Sequence, residues 1–199
     1  TGEGNFTALD AAIENLRTQY NAPGFQLAIV KNEKLVYANH YGNADIAGTQ
    51  SVTDASLFRI ASVSKPVTVI AILKLVQDGI IGLNDTVFGA NGILGTDYGT
   101  APYGTNIENI QVIHLIDHVS GWTNNPFDPM FANINWSQEQ VIDDIVNNRP
   151  LETVPGATYY YSNFGYCVLG RVVEKVTGMS YVDYVKDQIL TPSGSVTMK

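Results

Sequence analysis

Apolar residues recur at helical spacing in six segments of this sequence, and two shorter apolar runs are typical of strands. The spacing predicts helices over residues 7–20, 62–78, 110–119, 137–148, 163–176 and 180–190. The β-prone runs, residues 25–30 and 35–41, flank a polar turn and predict an antiparallel hairpin. Residues 88–109 are rich in Gly, Asn and Thr without an apolar period, which indicates irregular surface structure. The pattern therefore predicts one helix, a hairpin and five further helices.

Polar residues and one glycine predict where several of these helices begin and end. Thr7 with Asp10 resembles a capping box at the first helix. Ser137 is a predicted N-cap, and Asn163 alone indicates another. Gly178 closes the helix that follows Asn163, because glycine adopts the left-handed conformation common just after a helix.

Composition narrows the classes of partner. The formal net charge of −8 argues against nucleic acid and anionic membranes, because phosphate groups would be repelled. No apolar run approaches the ~18–20 residues of a spanning helix, so no membrane span is predicted. Cys167 is the sole cysteine among 199 residues, which excludes an intrachain disulfide and disfavours a cysteine-based metal site.

Ser62 and Lys65 are the first candidates for chemistry. Ser62 stands where the second helix begins, and the N–H groups of a helix N-terminus favour developing negative charge. Lys65 follows one turn later, so both side chains share a face. A serine hydroxyl becomes a good nucleophile when a neighbouring base takes its proton. The alternative is a helix-capping serine followed by a solvated lysine.

Other candidates are weaker when each is taken alone. Tyr161 stands in a tyrosine-rich run and could be one more core aromatic residue. Trp122 begins residues 122–135, an aromatic segment punctuated by proline that could line a cleft. His114 and His118 have the i, i+4 spacing that could hold a metal on one helical face.

Six short segments stand in a recognisable order along the chain. They are Pro23-Gly24, residues 58–65, residues 114–121, Pro155-Gly156, Tyr161-Ser162-Asn163, and the segment from Leu169-Gly170 to Thr177-Gly178. In these segments the chain resembles the serine β-lactamase and penicillin-binding-protein superfamily, in its class C-like branch. That branch also holds D-alanyl-D-alanine carboxypeptidases, D-aminopeptidases and esterases.

The resemblance implies an α+β fold of the β-lactamase/DD-peptidase type. Residues 1–60 would form the first part of an α/β lobe, with its first helix and two strands. Residues 61–190 would form the helical lobe that carries the Ser-x-x-Lys and Tyr-Ser-Asn motifs. Residues 191–199 would be a tail leading to further strands.

The resemblance also implies a role for each candidate residue. Ser62 would be the acylated nucleophile, Lys65 its base, and Tyr161 a second proton carrier. Asn163 would bind the substrate's amide carbonyl and help to fix Lys65, and the Ser62 N–H would be one oxyanion donor. Trp122 is a further candidate for substrate binding, because it begins the aromatic segment that could line a cleft. In this family residues 114–121 form a structural segment without a metal, and no cofactor is expected.

The implied function is that of an extracytoplasmic or secreted serine hydrolase. Its substrates would be D-amino-acid peptides, β-lactams or small esters, cleaved through an acyl-enzyme on Ser62. The alternative is a catalytically inactive relative that serves as a binding or assembly module.

The chain departs from the family pattern in its third motif. Relatives carry Lys-Thr-Gly or His-x-Gly on a strand after the last helix, and this strand supplies a second oxyanion donor. Lys175-Val176-Thr177-Gly178 has an extra residue and ends a helix, and residues 118–121 come too early. We therefore expect this chain to resemble the N-terminal part of a larger enzyme, with a complementary C-terminal segment or chain as its partner.

Overall fold

The computed structural model describes residues 6–198, which divide into two compact units at Ile60/Ala61. The first unit contains α1 (Thr7–Gln19), β1 (Gly24–Lys31) and β2 (Lys34–Gly42). The second contains α2 (Ser64–Gln77), α3 (Val112–Ile116), α4 (Gln138–Asn148), α5 (Asn163–Thr177) and α6 (Tyr181–Val185). Short 3₁₀ turns cover Ala61–Val63, Ile107–Asn109 and Pro129–Phe131, and a π-helical turn covers Lys186–Leu190. This arrangement confirms the predicted α+β class.

The first unit is a hairpin with one helix attached to it. β1 and β2 pair antiparallel from Gly24 opposite Gly42 to Lys31 opposite Lys34. The predicted capping box of α1 is wrong, because Asp10 faces β2 instead of the helix N-terminus. Its carboxylate accepts hydrogen bonds from three side chains of β2: Tyr37, Asn39 and Tyr41. These bonds, that of Tyr37 first, lower the pKa of Asp10 and fix α1 to the strand.

The core of the second unit lies around α5, which contacts α2, α3, α4 and α6. α2 and α5 bury their apolar faces together; the members are Ala71, Ile72, Leu75, Phe164, Val168, Leu169, Val172 and Val173. Burial of a Leu, Ile, Val or Phe side chain contributes roughly 1.5–3 kcal/mol each, so this contact fixes the two helices firmly. Both helices begin at the same place in the unit, where the candidate residues lie.

The helix starts agree with the sequence at Ser137 and correct it at Asn163. Ser137 caps α4 as predicted: its Oγ accepts from Gln140 N at 3.2 Å, and Gln140 Oε1 accepts from Ser137 N at 2.9 Å. At α5 the cap is Ser162 instead of Asn163, since Ser162 Oγ accepts from Gly165 N at 2.9 Å. The side chain of Asn163 is therefore available for other contacts.

Residues 88–109 are irregular as predicted and most of them are at least partly exposed, but the segment is not surface structure throughout. Phe88, Leu94 and Ile107 are each about 1% exposed and belong to the core of the second unit. Turns at glycines direct these apolar side chains inward at irregular intervals, so the sequence shows no period. The predicted helix over residues 110–119 is likewise shorter, and spans Val112–Ile116.

Candidate active site

Ser62, Lys65 and Tyr161 form a closed triangle of hydrogen bonds in the second unit. Ser62 lies in the 3₁₀ turn that leads into α2, Lys65 in the first turn of α2, and Tyr161 just before α5. Ser62 Oγ is 2.5 Å from Tyr161 Oη. Lys65 Nζ donates to Ser62 Oγ at 3.1 Å and to Tyr161 Oη at 2.6 Å. A proton can pass between any two of these groups without either side chain moving far.

Asn163 joins this triangle through Lys65 and connects it to an acidic residue. Asn163 Oδ1 accepts from Lys65 Nζ at 2.6 Å. Its Nδ2 donates to Asp128 Oδ2 at 2.7 Å. Asp128 was not singled out in the sequence, because it belongs to none of the six recognisable segments and lies in an irregular loop.

The hydrogen-bonded environment lowers the pKa of Tyr161. The hydrogen bond from Lys65 has the largest effect and the contact with Ser62 the next, while burial and the charge of Asp128 act in the opposite direction. A lowered pKa makes the phenolate more accessible near neutral pH, which suits a group that takes up and returns a proton.

The triangle is open to solvent within the described chain. Ser62 is exposed, Tyr161 is 39% exposed, and Lys65 is half-buried. The Lys65 Nζ atom also lies 4.6 Å from the ring centre of Tyr161 and 5.4 Å from that of Tyr166. The two aromatic rings limit the movement of Lys65.

His118 supports the site from behind. Its Nδ1 accepts a hydrogen bond from Ser162 N at 3.1 Å, and its ring centre lies 4.7 Å from that of Tyr161 and 5.1 Å from that of Tyr166. Burial lowers the pKa of His118, and the charge of Lys65 lowers it further. A neutral imidazole is required for Nδ1 to accept this bond. His118 therefore fixes the backbone next to Tyr161.

The structure does not bear out the spacing argument for a metal at His114 and His118. α3 ends at Ile116, and His118 adopts a left-handed backbone with φ of +61°, so the two residues do not share a helical face. His114 Nδ1 accepts from Gln111 N at 3.1 Å. Among residues 6–198 no group of three or more His, Cys, Asp or Glu side chains could hold a metal ion.

None of the helices between residues 6 and 198 has both the length and the apolar character to cross a bilayer.

Trp122 does not lie where the sequence analysis expected it. Its side chain is 2% exposed, and its Nε1 donates to Arg149 O at 2.9 Å. The indole meets two other core rings edge to face, those of Phe88 and Phe164. The expectation that Trp122 contacts the substrate is therefore corrected: it is a core residue that supports the loop after it.

Comparison with known proteins places these features in a family. The family model described as Beta-lactamase matches residues 9–197. A curated relative, Penicillin-binding protein 4* of Bacillus subtilis (strain 168), is 30% identical over 193 residues, covering 94% of this chain and 40% of its own length. The chain thus spans about two-fifths of the length of such curated relatives.

Solved structures give the same result. The octameric penicillin-binding protein homologue from Pyrococcus abyssi is 29% identical with a TM-score of 0.74, covering 96% of this chain and 43% of that one. A class C beta-lactamase has a TM-score of 0.76 at 22% identity, covering 98% and 51%, which shows the shared fold. This chain belongs to the beta-lactamase family.

Proposed function

We propose that this protein is a serine hydrolase that works through an acyl-enzyme on Ser62. The observation that supports this proposal most strongly is the triangle of Ser62 Oγ, Lys65 Nζ and Tyr161 Oη, with sides of 2.5, 3.1 and 2.6 Å. An inactive binding module has no need for a nucleophile that contacts two proton carriers at once.

In the first half of the proposed reaction, Lys65 and Tyr161 take the proton of Ser62 Oγ as this oxygen attacks the substrate's carbonyl carbon. The carbonyl oxygen becomes an oxyanion, for which the Ser62 backbone N–H is one donor. The bond to the leaving amine or alcohol then breaks. The leaving group takes the proton back from Lys65 or Tyr161, and the acyl group remains on Ser62 as an ester.

In the second half, water attacks the ester carbonyl carbon and gives a proton to the same pair of residues. The bond between the acyl carbon and Ser62 Oγ breaks, Oγ regains a proton, and a carboxylic acid leaves. No oxidant, metal or cofactor takes part, because both steps exchange only acyl groups and protons.

The proposed substrates are D-amino-acid peptides, β-lactams or small esters. Asn163 Nδ2 carries two hydrogens, of which Asp128 takes one, so the other can donate to a substrate amide carbonyl. The Bacillus subtilis relative is named as a penicillin-binding protein. β-Lactams would acylate Ser62 as mimics of the peptide whether or not they are turned over.

We also propose that full activity needs a complementary segment or chain carrying the Lys-Thr-Gly or His-x-Gly motif. This proposal is supported by the 40% share of the relative's length that the chain covers. A tetrahedral oxyanion needs more than one donor, and loss of one donor costs about 2.7–4 kcal/mol, a factor of roughly 10² to 10³ in rate.

A labelling experiment tests the proposed function. The full-length protein is treated with a fluorescent penicillin and, separately, a fluorophosphonate probe, beside the Ser62→Ala and Ser64→Ala variants. We expect labelling of the wild type and of Ser64→Ala, and none of Ser62→Ala. Undiminished labelling of Ser62→Ala would refute the nucleophile. A folded wild type that neither probe labels would favour the binding module.

A further inference from the structure

Asp128 divides its two carboxylate oxygens between a backbone turn and the candidate site. Oδ1 accepts from Met130 N at 3.0 Å, which caps the 3₁₀ turn Pro129–Phe131. Oδ2 accepts from Asn163 Nδ2 at 2.7 Å. One half-buried side chain thus connects the turn to α5.

This contact determines which way the Asn163 amide points. An ionised carboxylate has only acceptors, so the amide must present Nδ2 to Asp128, and its Oδ1 must then face the opposite side. On that side lies Lys65 Nζ, which has only donors when charged, at 2.6 Å. We propose that Asp128 is a positioning residue that holds Asn163 in this orientation and thereby keeps Lys65 against Ser62 and Tyr161. The proposal rests on the proposed function.

The opposite orientation of the amide would disrupt the triangle. If Asn163 turned by 180°, its NH₂ group would face Lys65 Nζ in place of the Oδ1 that accepts from Nζ at 2.6 Å. Lys65 would lose an acceptor and move away from Ser62 Oγ. Without an acceptor at residue 128, Asn163 keeps only the contact with Lys65 and loses one of the two hydrogen bonds that favour the observed orientation.

The loop that carries Asp128 is held on two sides, so the carboxylate has a defined position. Arg149 donates through its guanidinium to Asn125 O and, at 3.2 Å, to Phe127 O. Asn124 Nδ2 donates to Tyr161 O at 2.9 Å. The loop is thus fixed both to the end of α4 and to the segment that carries the candidate proton carrier.

The charge of Asp128 gives the proposal a second measurable consequence. This charge raises the pKa of Tyr161 against the larger lowering effects of Lys65 and Ser62. Removal of the charge should therefore lower the pKa of Tyr161 further. The acid limb of the pH–rate profile for acylation should then move to lower pH, which a purely structural role of Asp128 would not cause.

The test compares Asp128→Ser with Asp128→Asn in the full-length protein. Serine is a good N-cap and can still accept from Met130 N, but it is too short to reach Asn163. Asparagine has a single acceptor oxygen for the two donors, Met130 N and Asn163 Nδ2, so the labelling rate of Asp128→Asn should lie between those of wild type and Asp128→Ser. We expect the second-order rate constant for labelling by a fluorescent penicillin to fall about 10- to 100-fold in Asp128→Ser, as for loss of one charge-assisted hydrogen bond.

A readout independent of activity keeps this proposal separate from the proposed function. In the wild type, one proton of the Asn163 side-chain amide should exchange slowly with solvent. Its signal is identified as the one that is absent from Asn163→Ala. This protection should disappear in Asp128→Ser, with the melting temperature changed by less than about 3 °C. Labelling within twofold of wild type, an unmoved acid limb or an equally protected amide would each overturn the proposal. If the wild type is not labelled at Ser62, the proposed function fails. Exchange of the Asn163 amide proton would still show whether Asp128 holds the amide in the proposed orientation.

Discussion

Replacement of Tyr161 by phenylalanine tests the proton-transfer role with little change to the structure. The variant loses only Oη, and with it the contacts to Ser62 Oγ at 2.5 Å and Lys65 Nζ at 2.6 Å. The ring stays, and it retains its packing against His118 at 4.7 Å between ring centres.

The two expected effects differ greatly in size. Tyr161 is 39% exposed, so loss of its hydroxyl should lower the free energy of unfolding by about 1 kcal/mol or less. A positioned general acid–base group contributes about 10²- to 10⁴-fold to a rate. The barrier to acylation should accordingly rise by about 2.7–5.4 kcal/mol, at about 1.36 kcal/mol for each factor of ten.

The assay measures acylation by a fluorescent penicillin and unfolding by urea in the same preparations of full-length protein. Tyr160→Phe is the matched control, since Tyr160 is a neighbouring tyrosine of similar exposure, 41%. We expect the control to match wild type in both measurements. An acylation rate of Tyr161→Phe within about threefold of wild type would remove Tyr161 from the mechanism, whatever its stability.

Two further predictions concern the neighbours of Tyr161. Lys65→Arg should reduce the rate of acylation nearly as much as Lys65→Ala, because a guanidinium stays protonated and cannot accept the Ser62 proton. An acylation rate near wild type in Lys65→Arg would show that Lys65 is only an electrostatic support. Burial lowers the pKa of His118 below its ordinary value of 6.5. The unfolded chain therefore binds the proton more readily, and the free energy of unfolding should fall as pH drops through and below 6.5. His118→Asn should weaken this pH dependence, measured by urea titrations between pH 7 and 5. Asparagine tolerates the left-handed backbone, carries an oxygen at the position of Nδ1 and does not titrate in this range. An unchanged pH dependence in this variant would assign the effect to other groups.

Local spacing was enough to predict the part of the site that a single helix carries. Ser62 and Lys65 are one turn apart, so their proximity follows from helical geometry alone. The contact of both with Tyr161 crosses almost a hundred residues, and only the resemblance to a family pointed to it. Asp128 was missed because no periodicity or motif marks a loop carboxylate that contacts a helix start 35 residues later.

The burial of Trp122 shows where composition misleads. An aromatic segment rich in proline is typical of a cleft wall, but composition cannot tell on which side of the loop a given ring lies. The indole N–H of Trp122 finds a backbone acceptor in Arg149 O, so a fully buried position costs little. The same limit applies to Phe88 and Leu94, whose inward direction depends on turns that leave no period in the sequence.

The most direct test of the central claim is to locate the covalent intermediate. Full-length protein is mixed with a slowly hydrolysed β-lactam, quenched in acid, digested and analysed by tandem mass spectrometry, with Ser62→Ala in parallel. We predict one adduct per molecule with the mass of the intact β-lactam, on Ser62 in the wild type and absent from the alanine variant. An adduct at another residue, or hydrolysis of the β-lactam by the Ser62→Ala variant at the wild-type rate, would contradict an acyl-enzyme mechanism centred on Ser62.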